Sequence, residues 1–215
     1  MNKGLLIVID GIDGSGKTTQ IELLKKNLQV PYEVISFPRY EDNLYAQLVG
    51  RYLEGEFGGI NDVNPYFLSL AYAGDRMLAK PLIEQWLSEG KLVIANRYVS
   101  ANKAHMGANL PPEKREEFFK WLDNLEYKTN GLPKEDLIII LAVAPTVGSK
   151  NVSDSRFPDI HEENEKYLEK AQEIYLSLAK KENNWYLVDC MKSGKMKTRE
   201  EIHQEIMQIL QTKQI

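Results

Sequence analysis

Leu5-Leu6-Ile7-Val8-Ile9-Asp10-Gly11-Ile12-Asp13-Gly14-Ser15-Gly16-Lys17-Thr18-Thr19 is the stretch whose reading decides the fold. Its first part is an unbroken apolar run of mostly branched residues, the pattern of a strand buried on both faces. Gly11 to Thr18 then matches G-x-x-x-x-G-K-[ST], the P-loop pattern, and a helical stretch from about Lys17 to Leu28 follows. Each residue type has a physical task. Gly11, Gly14 and Gly16 let the backbone turn tightly and aim N–H groups at phosphate oxygens. The helix start adds the positive end of its dipole. Lys17 supplies a point charge for the β- and γ-phosphates, and Thr18 a hydroxyl for Mg²⁺. Asp13, Ser15 and Thr19 complete the candidate nucleotide-binding set. Strand, loop and helix in this order predict a site for ATP with Mg²⁺.

Outward from this stretch, short apolar runs alternate with amphipathic ones. Glu33–Phe37, Leu92–Ala95, Leu137–Val143 and Trp185–Val188 read as further strands. Between Glu113 and Lys128, Phe118, Trp121, Leu122 and Leu125 fall at i, i+3, i+4 and i+7, one helical stripe. Asn64-Pro65 opens a long helix toward Trp86, which Pro81 is expected to bend or interrupt. Thr198 and Glu201 form a capping box for the last helix. Strands separated by helices imply right-handed crossovers and a covered parallel sheet. The expectation is α/β: a P-loop NTPase three-layer α/β/α fold with a parallel sheet of about five strands. Residues 1–215 read as a single domain, with an irregular stretch, Pro145–His161, that lacks any sustained apolar period.

Composition narrows the partners. Against 27 Lys and Arg stand 31 Asp and Glu, a net charge of −4, which argues against a protein holding nucleic acid by bulk positive charge. The lone Cys190 excludes an intramolecular disulfide and a Cys-rich zinc site, and reads as an inert buried thiol. His105, His161 and His203 show no metal-ligand spacing and read as surface or helix-face residues. No run approaches the roughly 18 apolar residues of a membrane helix, and the N-terminal apolar run is too short for a signal peptide. A cytoplasmic location with no membrane partner is expected.

A P-loop serves kinases, GTPases and motors alike. Asn102-Lys103-Ala104-His105 begins like the guanine motif N-K-x-D but puts histidine where aspartate belongs, and no D-x-x-G switch follows the loop. A kinase for a small anionic substrate needs arginines at the carboxyl ends of strands, an aromatic shelf for a base, and a basic lid. Arg39 follows the second apolar run and Arg97 the third. Tyr72 and Arg76 lie one helical turn apart on one face.

These segments together resemble the thymidylate kinase family over nearly the whole chain. Ile9 to Gln20 is similar to its P-loop segment, including the acidic Asp13, for which the resemblance implies contact with the deoxyribose 3′-hydroxyl. Phe37-Pro38-Arg39 is similar to the post-strand segment whose arginine holds the acceptor phosphate. Leu70 to Arg76 resembles the helix that stacks an aromatic, here Tyr72, on thymine and reaches its O4 with an arginine, here Arg76. Asn96-Arg97-Tyr98 stands where the family carries Asp-Arg-(Tyr/His), so Arg97 would contact acceptor phosphate, with Tyr98 beside it. Family members with glycine at the position of Gly14 place a catalytic arginine in the lid. That role falls on Arg156, with Lys150 as an accessory cation and the lid at about 145–161. The catalytic set is then Lys17, Arg97 and Arg156, with Thr18 and Asn96 at the metal.

Three departures touch the acceptor side. Asn96 replaces the family's aspartate, Ala101 a frequent serine and Met106 a common glutamine, while Asn102 is available for a polar contact. The resemblance implies phosphorylation of dTMP to dTDP by ATP in deoxynucleotide biosynthesis, by a homodimer packed through helices. Another nucleoside or nucleotide kinase with a different base pocket, or a catalytically decayed ATP-binding regulatory protein, remain the alternatives.

Overall fold

The branched runs become strands because only a sheet covered on both faces buries them completely. In the computed structural model, which describes residues 3–153, 159–161, 164–213 and 215, β1 (Leu5–Asp10) and β4 (Leu137–Ala142) are buried along almost their whole length. They are joined by β2 (Tyr32–Ser36), β3 (Leu92–Asn96) and β5 (Trp185–Asp189) in one parallel sheet of order β2-β3-β1-β4-β5. Leu6, Ile7, Val8 and Ile9 are fully buried, each side chain contributing about 1.5–3 kcal/mol of hydrophobic stabilisation.

Helices flank the sheet: α1 (Lys17–Asn27), α2 (Leu44–Leu53), α3 (Pro65–Ser88), α4 (Val99–Ala108), α5 (Pro112–Asp123), α6 (Pro145–Ser153), α7 (Glu165–Lys181) and α8 (Arg199–Thr212). This is the α/β architecture expected of a P-loop protein. From β1 the chain crosses to β2 beyond β3, and later returns to β4 on the other side of β1. The strand order therefore reverses at β1, and the crevice outside its carboxyl end is where open α/β sheets bind ligands. Register aligns Ile9 with Asn96 and Ser36 with Asn96, so β1, β2 and β3 finish within a residue of one another there.

Four local features differ from the sequence reading. The stretch read as irregular from Pro145 begins as helix α6, with Val152 buried; nine residues with Gly148 and Ser149 among them are too few to display a period. Helix α3 runs on through Pro81. The carbonyl that loses its partner belongs to Met77, on the exposed side where water reaches it. A small antiparallel hairpin, β6 (Met191–Lys192) with β7 (Lys195–Met196), precedes α8. Finally, α5 passes into a π-helical turn, Asn124–Thr129, which brings Glu126 and Tyr127 inward.

Tyr127 donates its hydroxyl to the carboxylate of Glu135, 2.8 Å from Oε2. Burial pushes the Glu135 carboxyl up to about 7, against the opposing hydrogen bonds from its surroundings. The folded state therefore holds a proton that the unfolded chain releases near pH 4.5, and stability falls as pH rises from about 4.5 to 7. Glu135→Gln keeps the shape and removes the ionisation. It is expected to raise the melting temperature at pH 8, by up to roughly 3 kcal/mol of stability, and to leave it little changed at pH 5, as thermal melts at the two pH values will show.

Candidate active site

The site begins where β1 ends. Asp10 is fully buried and accepts from the Gly11 amide at 2.9 Å, the Ser100 hydroxyl at 2.5 Å and the Tyr175 hydroxyl at 2.8 Å. These bonds tie the root of the P-loop to α4 and α7. Helix α1 is preceded by Gly16, left-handed at φ 91°, and has no side-chain cap and no acidic residue in its first turn. Its first N–H groups therefore have no competing side-chain acceptor, the condition for receiving phosphate. Lys17 donates to the carbonyls of Gly11 (3.0 Å) and Ile12 (2.9 Å), which holds the ammonium under the loop. Gly14 meets α6 so closely that a Cβ there would lie 2.0 Å from the Gly148 carbonyl, and Asn151 donates to the Gly14 carbonyl at 2.9 Å.

A cleft of about 900 Å³ opens over this loop. Gly14, Gly16, Lys17, Thr18 and Thr19 form its floor, Phe37, Asn96 and Arg97 one wall, and Met196, Thr198 and Arg199 another. A smaller cavity beside it is lined by Tyr72, Ala101, Asn102, His105, Met106, Asp159 and His161. The two share Asp13, Pro38, Tyr40 and Arg97, of which Asp13 and Arg97 are the charged ones.

Arg97 stands at φ 65°, a left-handed conformation that a long side chain rarely adopts and that the surroundings must hold. Its guanidinium pairs with Asp13, lies 3.4 Å from the Gly11 carbonyl and donates to His105 Nε2 at 3.1 Å. Burial pushes the Asp13 carboxyl up, but Arg97 and Lys17 together outweigh it and hold it well below the usual carboxylate range. His105 and His161 are both held neutral, chiefly by burial and also by the Arg97 cation, His161 down to about 4.

For the metal, the fit rests on Asn96 and Thr18. Asn96 Oδ1 is buried in the wall of the cleft with no hydrogen-bond partner among the described residues, and Thr18 lies on its floor. Among the described residues no group of three or more His, Cys, Asp or Glu side chains is placed to hold a metal ion. A neutral amide and a hydroxyl suit Mg²⁺ that keeps most of its shell as water and phosphate oxygen.

The family model described as thymidylate kinase matches residues 9–206. The chain belongs to the thymidylate kinase family. It is 32% identical over 212 residues to the probable thymidylate kinase 1 of Saccharolobus solfataricus, covering 96% of each chain. It is 31% identical over 207 residues to the probable thymidylate kinase of Methanocaldococcus jannaschii, again covering 96% of each. The thymidylate kinase of Homo sapiens is 29% identical over 208 residues, 95% of this chain and 88% of that one. The fold is shared with the solved thymidylate kinase of Candida albicans, at a TM-score of 0.79 and 22% identity over 99% of this chain and 93% of the other.

Seen as a member of this family, the chain brings together Asp13, Gly14, Gly16, Lys17, Thr18, Thr19, Phe37, Tyr72, Asn96, Arg97 and Asn102 on the two cavities. Asn102 is buried with its Nδ2 unpartnered among the described residues. Other expected site residues lie elsewhere. Gly11 and Ser15 are buried beneath the loop and line neither cavity. Tyr98 is fully buried: the αL turn at Arg97 sends it inward, against Phe37, with its hydroxyl on the Pro133 carbonyl at 3.2 Å. Arg39 is turned onto Asp75, Nε 2.9 Å from Oδ1, and also donates to the Asp75 carbonyl and to Asp42. Arg76 is drawn away from the Tyr72 face by Glu126, to which its Nε donates at 3.1 Å, and also donates to the Tyr98 carbonyl. A buried carboxylate without a cation is costly, so Glu126 captures the arginine. Lys150 is exposed on α6 and lines neither cavity, and Arg156 lies outside the described residues.

The reading of the histidines is corrected. His105 and His161 are buried, with parallel rings 6.0 Å apart beside Arg97. Nothing in their spacing signals this, because α4 and the segment before α7 are brought together only by the packing of the two helices. Cys190 is buried as expected, its thiol pushed up to about 12 by burial.

Proposed function

We propose that the protein transfers the γ-phosphoryl group of Mg·ATP to dTMP, giving ADP and dTDP. The observation that carries this reading is the meeting of two cavities at Asp13 and Arg97: one floored by the P-loop, the other a smaller pocket with an aromatic side chain and an amide unpartnered among the described residues. Two anionic substrates that share one arginine at their junction are held for in-line transfer.

In this reading the amides of the P-loop and Lys17 hold the β- and γ-phosphates, Arg97 holds the acceptor phosphate against the γ-phosphate, and Tyr72 and Asn102 receive the base. Asp13, kept ionised, orients the sugar hydroxyl and fixes Arg97. Catalysis is positioning plus neutralisation of charge, with no covalent enzyme intermediate. Thr18 and Asn96 are the residues that would hold Mg²⁺, which would supply positive charge to offset that of the phosphates. The assignment of a lid cation to Arg156 rests on the family resemblance alone.

The test is ADP release measured with a panel of nucleoside monophosphates. Marked preference for dTMP supports the reading, while preference for another monophosphate, or ATP binding without turnover, would sink it. Asn96→Asp puts a full charge at the cleft wall and is expected to lower the half-saturating Mg²⁺ concentration about threefold, roughly the strength of one partly screened charge contact. A Mg²⁺ titration that superimposes on wild type would remove Asn96 from the metal site.

A homodimer is part of the proposal. Phe67, Leu70, Leu78 and Leu82 on α3, with Leu44 and Leu48 on α2, form an exposed apolar face, Phe67 being 70% and Leu44 80% exposed. Light scattering in solution checks it. No helix among the described residues is long and apolar enough to cross a membrane. We place the enzyme in the cytoplasm, as one domain spanning 1–215, on the strength of the family and of the single buried cysteine.

A further inference from the structure

Tyr52, on α2, lines neither cavity, yet its hydroxyl begins a chain of contacts that ends on Arg97. Its Oη lies 3.0 Å from His161 Nε2, and His161 Nδ1 lies 3.2 Å from Tyr167 Oη. Tyr167 Oη is 3.3 Å from His105 Nδ1 and 3.0 Å from the His105 carbonyl. His105 Nε2 is 3.1 Å from Arg97 Nη1.

The protons in this chain can be counted, because a guanidinium only donates. Arg97 gives a hydrogen to His105 Nε2, so neutral His105 carries its own on Nδ1 and gives it to Tyr167 Oη. Tyr167 has one hydrogen, and its shorter remaining contact is the His105 carbonyl, which receives it. His161 Nδ1–H then donates to Tyr167, and His161 Nε2 is left as an acceptor that Tyr52 fills, its 3.0 Å contact there being shorter than the 3.4 Å one to the Ile60 carbonyl. Without the Tyr52 hydroxyl, His161 is free to move its proton to Nε2. Tyr167 then turns its hydrogen to Nδ1 and away from the His105 carbonyl, loosening the residue that orients Arg97.

We propose that Tyr52 is a positioning residue for Arg97, acting through His161, Tyr167 and His105. The left-handed backbone of Arg97 is a costly conformation for a residue with a side chain, so the arginine depends on such support. Apart from the P-loop contacts, the guanidinium has Asp10 at the end of β1, 3.8 Å away, and His105, which at 3.1 Å is the closer and the one carried by α4. The segment that carries His161 is itself seated on the end of α2, with the Ile160 amide donating to the Leu53 carbonyl at 3.3 Å. The placing of α2 is thereby communicated to the junction of the two cavities.

The inference rests on dTMP as acceptor, so wild-type turnover with dTMP is measured first. Its absence overturns that reading, and the variants are then assayed on the acceptor the panel selects. Tyr52→Phe is expected to lower kcat/KM for the acceptor about 5- to 10-fold, with KM for ATP changed less than twofold. In an Arg97→Lys background the same substitution is expected to have little further effect, because the coupled group is gone. His161→Phe, which keeps an aromatic ring, should give the same pattern with a larger loss, so the test stands even if one variant folds poorly. An unchanged acceptor kcat/KM in Tyr52→Phe, or an equal loss in both backgrounds, overturns the proposal.

Discussion

Lys17→Ala is expected to reduce kcat about 10³-fold while the protein stays folded, since a single preorganised cation at a transferring phosphoryl group is worth that order. The ammonium is almost fully buried and held by the Gly11 and Ile12 carbonyls, so its position is set before any phosphate arrives. Its removal takes away the charge proposed to serve the β- and γ-phosphates without touching the acceptor cavity, whose lining does not include it. The loss should therefore fall on kcat and on ATP affinity, with dTMP affinity little affected. Steady-state kinetics with each substrate varied separately, and a thermal melt to confirm folding, make the check. Turnover near wild type would remove Lys17 from the catalytic set.

Arg97→Ala is expected to lower kcat/KM for dTMP by about 10³-fold, and Arg97→Lys by only somewhat less, because an ammonium cannot reproduce a planar fork serving several partners. Arg97 faces both cavities and is paired with Asp13, so the substitution has a second consequence. Burial raises the Asp13 carboxyl, and Arg97 is the largest influence opposing it. Without the arginine the carboxyl rises, and the ionised form is lost progressively as pH falls. An acid limb absent from the wild type at the same pH is expected in the pH profile of the residual activity. Equal ATP affinity in wild type and variant, measured by calorimetry, would locate the defect on the acceptor side. A loss confined to ATP binding would place Arg97 on the wrong substrate.

The donor half of the site was legible because it is local. Leu5 to Thr19 make a strand-loop-helix unit whose proposed phosphate-binding amides belong to neighbouring residues, and Asn96 and Arg97 stand at the end of a recognisable strand. The acceptor half is assembled from α2, α3, α4 and the segment before α7. There the sequence offered residue types without partners. Arg39 and Arg76 looked like free cations, and the structure pairs them with Asp75 and Glu126. Glu126 is aimed inward by a π-helical turn, which no periodicity announces. His105 and His161 looked unrelated and are neighbours.

By itself, then, the sequence determined the parallel sheet, the P-loop and the end of the sheet at which that loop lies. All three follow from hydrophobic runs and glycine placement within short windows of chain. Only the tertiary structure decided which charged side chains remain available to a substrate and which are neutralised by each other. That outcome depends on the distance between groups far apart in the chain and on the cost of burying an unpaired charge, and neither quantity exists until the helices have packed.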